Sequence, residues 1–124
     1  MNELPPEEPI PNERDVFYLT HMLECIHAIE DYSAGVDVAS DERTLDAVLR
    51  RLQILTESSK RVSEEVKTAH PDVPWRELAG FRNVVVHDYL AISVGQISQI
   101  IGRDIPKLRE QLTSLLTTLR TAQP

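Results

Sequence analysis

The sequence predicts an all-α fold, a bundle of four to five helices, from three observations. Apolar residues recur in steps of three and four through most of the chain. Prolines and glycines fall between these runs, where helices start and stop. No strand pattern competes, because the only β-branched run, Val84-Val85-Val86, is short and lies inside a helical pattern. At 124 residues the chain has the size of one domain able to bury a single core. An acidic, proline-rich flexible tail is expected over 1–12 and a helical domain over 13–122.

The elements follow in order. Pro5, Pro6, Pro9 and Pro11 crowd the first eleven residues, a density that blocks helix and strand alike. Asn12 offers an N-cap, with Glu13 and Asp15 in a first turn whose dipole favours acid. The first helix then steps through Val16, Leu19, Leu23 and Ile26 to a stop near Gly35. Ser40 can cap a second, long helix in which Leu45, Val48, Leu52, Leu55, Ser59, Val62 and Val66 trace one face. The string from His70 to Pro74 ends it, since each proline also biases its predecessor towards extended backbone. Pro74 suits the first turn of a third helix running from Trp75 through His87. Ser93 and Gln96 have capping-box spacing and open a short fourth helix that Gly102 should break. Asp104 can cap the last helix, built on Ile105, Leu108, Leu112, Leu115 and Leu119.

Apolar residues make up 41% of the chain and charged residues 27%, a balance that excludes disordered and membrane classes. No apolar run is long enough to span a bilayer, and the start lacks the basic and apolar segments of a secretory signal, so a cytoplasmic location is expected. The single cysteine, Cys25, cannot form an internal disulfide and suits a reducing compartment. Net charge is −7, which argues against nucleic acid as a partner, but the acid is concentrated before residue 43 and the remainder is mildly basic.

Four histidines and one cysteine raise the question of a metal. His21 and His27 are six residues apart and point to different sides of a helix, whereas ligand pairs on one helix sit three or four apart. Cys25, set among apolar positions, reads as a core thiol. No metal or other cofactor is expected.

The segment Trp75 to Tyr89 concentrates polar chemistry beside core apolars. On a helix Arg82, Val86 and Tyr89 share one face, while Asn83 and His87 form an i, i+4 pair on the next. Arg82 and His87 stand about 140° apart around the axis. Either the helix distorts there, or the site is completed across a two-fold axis by a second copy. Arg-x-x-x-x-His is a short motif that chance gives about 0.3 times in a chain with ten arginines and four histidines. The string around it says more. It resembles the HepT-like HEPN-domain toxins, encoded beside small nucleotidyltransferase antitoxins, in Arg82, His87 and Tyr89 of Arg-x-x-x-x-His-x-Tyr and in the lead-in from Pro74 to Gly80. Asp41 to Val48 and Ile105 to Leu108 extend the likeness over most of the chain. Thr56 stands where the family often has glycine, and Leu90-Ala91 where it has Phe-Gly.

The resemblance implies a HEPN-type homodimer and a metal-independent endoribonuclease, the toxin of a type VII-like toxin–antitoxin pair. His87 would be the general acid–base group and Arg82 the cation that stabilises the transferring phosphate. Asn83 and Asp88 would support them, orienting phosphate and imidazole. Tyr89 would accept AMP from the nucleotidyltransferase partner, setting negative charge where substrate phosphate binds. Two other readings stay open on the sequence. One is a non-catalytic HEPN module that binds or scaffolds a partner, with Arg82 and His87 an ordinary polar edge. The other reverses the roles, with this chain neutralising the nucleotidyltransferase.

Overall fold

The computed structural model describes residues 11–87 and 92–122, with the side chains of 11–12 and 85–87 outside that description. Most of the expected tail, together with Asp88, Tyr89 and the Leu90-Ala91 departure, lies outside the described residues. The fold is all-α, with no strand among the described residues. No described helix is long and apolar enough to cross a membrane.

Helix α1 spans Pro11–Ser33. It begins two residues earlier than the Asn12 cap implies, because Pro11 lacks only an N–H that a first turn leaves unbonded. Gly35 ends the turn that follows, with φ 69° in the left-handed region where a side chain would be strained. The cap of α2, Glu42–Arg61, is Asp41 and not Ser40: its side chain accepts from the Thr44 N–H, while Ser40 closes a 3-10 turn over Val38–Ser40. The long second helix expected through Val66 is two helices. Chain direction changes at Val62, and Ser63 caps α3, Glu64–Ala69, with its hydroxyl accepting from the Val66 N–H. Asp15 of α1 fixes that break. It is only 2% exposed, and its two carboxylate oxygens accept from the Ser63 N–H and Oγ, each at 2.8 Å.

Helix α4 spans Trp75–His87, as the pattern predicts. Ser93 and Gln96 form the expected capping box of α5, Val94–Gln99. Gly102 does not break the chain and Asp104 does not cap: α5 runs through a π turn, Ile100–Asp104, into α6, Ile105–Ala122. Pro106 supplies the reason. Without an N–H it cannot bond the Gly102 carbonyl, so the ladder slips by one and the Ile105 N–H reaches back five residues to Ile100. Counting α5 with α6 as one bent rod, the described residues form five rods.

The core lies where α1 meets α2 and α6. Leu19, Met22, Ile26 and Ile29 of α1 interlock with Val48, Leu52 and Leu55 of α2 and Leu112 and Leu115 of α6. Val16 and Leu23, assigned above to the core face, are only half-buried, because α1 is covered from two sides and its buried stripe is centred on Met22 instead. Arg109 of α6 pairs with Glu30 of α1 beside this core. Thr56 fits its buried place by donating its hydroxyl to the Gln53 carbonyl at 3.0 Å.

Candidate active site

Helix α4 carries the candidate site, and the loop before it sets its position. His70 ends α3 and is followed by the two prolines. The Leu78 N–H bonds the Pro74 carbonyl at 3.0 Å, so Pro74 stands just before the first turn and not in it. The Trp75 indole N–H donates to the His70 carbonyl at 3.0 Å, and Gln111 of α6 donates to the Asp72 carbonyl at 2.6 Å. These bonds hold the start of α4 while its Leu78 and Phe81 pack against the core.

The two sides of α4 differ. Trp75, Leu78, Phe81 and Arg82 are half-buried on the side towards α2. Arg76, Ala79, Gly80, Asn83 and Val84 are exposed on the other, Val84 to 40%. At about 100° per residue, the backbone position of His87 falls in the middle of this outer face, in line with Gly80 and Asn83. Asn83 therefore shares a face with the His87 position, as expected, and Arg82 does not.

The helix is regular from Trp75 to His87, so a local distortion is not what unites the pair. Arg82 itself is unusual. Its Nε is closed off from solvent yet makes no hydrogen bond among the described residues. Leaving a buried donor unbonded costs about 1–3 kcal/mol, so Nε is held with donor capacity that the described residues do not use. Asp88 and Tyr89 lie outside the described residues.

Other titratable groups are spread out. His21 and His27 are both exposed on α1, His21 beside Glu24 at 3.3 Å, and among the described residues no three His, Cys, Asp or Glu come together as a metal site. Cys25 is a core thiol, 1% exposed, and burial pushes its pKa up against the opposing pull of a hydrogen bond from Arg51. A cavity of about 490 Å³ opens between α2, α4 and α6, floored by Leu52, Leu55, Leu78, Phe81 and Leu108. It lies on the packed side of α4, and neither Arg82 nor Asn83 lines it.

Sequence reasoning singled out Arg82, Asn83 and His87 but gave no separate weight to Arg76, Gly80 and Val84. The available signal was a glycine in the middle of a helix, which weakens it and asks for a reason. An added Cβ at Gly80 meets nothing within 4 Å, so nothing among the described residues supplies one.

A family profile described as ribonuclease HepT-like matches residues 22–115. A protein of Thermococcus cleftensis named as a probable ribonuclease HepT is 34% identical over 101 residues, covering 79% of this chain and 92% of that one. One of Caldanaerobacter subterraneus, named as a candidate RNase, is 34% identical over 103 residues, covering 80% and 91%. A third, from Methanocaldococcus jannaschii, is named as a gamma-glutamylcyclotransferase and candidate RNase; it is 31% identical over 105 residues, which cover 82% of this chain but 47% of that protein. This chain thus spans under half the length of the third relative and nearly all of the other two. No solved structure matches it significantly.

Proposed function

This chain belongs to the ribonuclease HepT-like family, and on that premise we propose that it is a metal-independent endoribonuclease whose working parts are Arg82 and His87. The observation that carries the proposal is the solvent-closed Nε of Arg82, without a hydrogen bond among the described residues, on the same helix as His87. The reaction needs few groups. The His87 imidazole takes the proton of a ribose 2′-hydroxyl as its oxygen attacks the adjacent phosphorus. Arg82 donates to the phosphate oxygens as negative charge gathers there. The bond from phosphorus to the 5′-oxygen breaks, the imidazolium returns a proton to that oxygen, and the products are a 2′,3′-cyclic phosphate and a 5′-hydroxyl. Asn83 orients the phosphate from the outer face of α4, and Asp88 the imidazole.

Because α4 is unbroken, the two groups meet across a two-fold axis between copies. An antiparallel crossing of two α4 helices midway between residues 82 and 87 sets each Arg82 level with the other copy's His87 position. Ala79 and Asn83, exposed between the directions of Arg82 and the His87 position, give the crossing its contact. The homodimer is thus part of the mechanism.

In the cell the chain acts as the toxin of a toxin–antitoxin pair. A nucleotidyltransferase partner silences it: the Tyr89 hydroxyl attacks the α-phosphorus of ATP, pyrophosphate leaves, and the resulting AMP group repels substrate phosphate. Incubation with total RNA in excess EDTA tests the activity, with cyclic-phosphate ends as the expected product. Cleavage that requires added metal, or that persists after complete modification of Tyr89, contradicts the corresponding part.

A further inference from the structure

We propose that the hollow at the start of α4 is a substrate subsite, taking a nucleotide of the RNA strand a few residues away from the scissile phosphate. This rests on the ribonuclease reading and extends it to a place that reading does not use. The hollow, about 460 Å³, is open to solvent and lined by Lys67, Pro71, Asp72, Trp75, Arg76 and Glu77. That set matches the parts of a nucleotide. Arg76 is exposed and makes no ion pair or hydrogen bond among the described residues, leaving its guanidinium for phosphate. Lys67 pairs with the exposed Glu64 at 3.8 Å and lies over the Trp75 ring at 5.9 Å, so a phosphate that displaces Glu64 and sits between the two cations brings its base beside the half-buried indole. Asp72 and Glu77 supply acceptors for the amino groups of a base.

The outer face of α4 connects this hollow to the catalytic position. Arg76, Gly80, Asn83 and the His87 position follow one another along that face, with Arg76 about 16 Å of helix axis from His87 and about 10 Å from Asn83. Gly80 lies between them with open space above it. A helix-interior glycine costs about 1 kcal/mol relative to alanine. A sugar–phosphate backbone lying across the helix gives that glycine a reason the described residues do not.

Trp75 is the only tryptophan in the chain and reports on the hollow directly. The test uses full-length protein carrying His87→Ala, so that RNA is bound and not cut, and follows Trp75 emission and RNA anisotropy together. An octanucleotide should quench Trp75 as it binds, and a dinucleotide should not. Adding Arg76→Ala should weaken octanucleotide binding about tenfold and lower the salt dependence by about 0.7 in log–log slope, the share of one phosphate contact on a single strand. Arg120→Ala, the same charge change at the far end of α6, should do neither. Octanucleotide binding that leaves Trp75 emission unchanged overturns the subsite, as do equal losses from Arg76→Ala and Arg120→Ala. If the chain lacking these changes cuts RNA, only the subsite has failed; if it neither binds nor cuts RNA, the ribonuclease reading fails and the subsite with it.

Discussion

Arg82 and His87 are five residues apart on a helix that stays regular between them, and this spacing governs what each can do alone. Both were legible as candidates from the string around them. That Arg82 lies against the core flank and the His87 position on the outer face needed the packing of α4 on α2, which residue spacing does not report. We expect Arg82→Ala to lower cleavage by about 10²–10³-fold, the range for a lost donor to developing charge, and His87→Ala by about 10²–10⁴-fold. Circular dichroism should show both variants folded. Gly80→Ala should raise unfolding free energy in urea by up to about 1 kcal/mol, since the new methyl meets open space; a loss of stability would mean that the subunit itself needs the glycine. Cys25 gives a pH expectation. Its thiol pKa is raised in the folded state by burial, so from the ordinary thiol value upward the unfolded chain holds fewer protons and stability falls as pH rises. Cys25→Ala should flatten that alkaline slope in urea titrations at several pH values.

At the level of elements, the errors of sequence reading share a cause. Helix existence follows from local periodicity, and α1, α4, α5 and α6 were all legible in that way. Helix ends were decided by groups that periodicity cannot see. The break between α2 and α3 depends on Asp15, forty-eight residues away, whose carboxylate takes both donors of Ser63. The junction of α5 and α6 depends on Pro106, which shifts the ladder into a π turn where glycine and aspartate alone suggested a break. Asp15→Ala should therefore cost about 1–3 kcal/mol by leaving the half-buried Ser63 donors unpaired, and hydrogen exchange should rise first in Ser63 to Ala69. Exchange that rises evenly over the whole chain would contradict a local role for Asp15.

Across the whole molecule, the bundle keeps most of its buried residues on α1, α2 and α6, and among the described residues α4 is packed on one side only. The helix that carries the candidate site is a flank of the core, and its outer face is the surface on which the proposed second copy and RNA would meet. The sequence predicted the all-α class and hinted at association through the 140° gap, but which face of α4 remains open depends on the tertiary arrangement. The core also sets the limits of tolerated change: Leu112→Ala, at a fully buried position, should cost about 2–5 kcal/mol in chemical denaturation.

The measurement that tests the composite site most directly mixes the Arg82→Ala and His87→Ala proteins under conditions of subunit exchange and follows cleavage of RNA in EDTA. Each variant alone should be inactive. Half of the randomly exchanged dimers are mixed, and each mixed dimer holds one complete site of two, so about a quarter of full activity should return. A mixture that stays inactive, while both proteins are folded and exchange is verified by mass, would contradict a site shared between subunits.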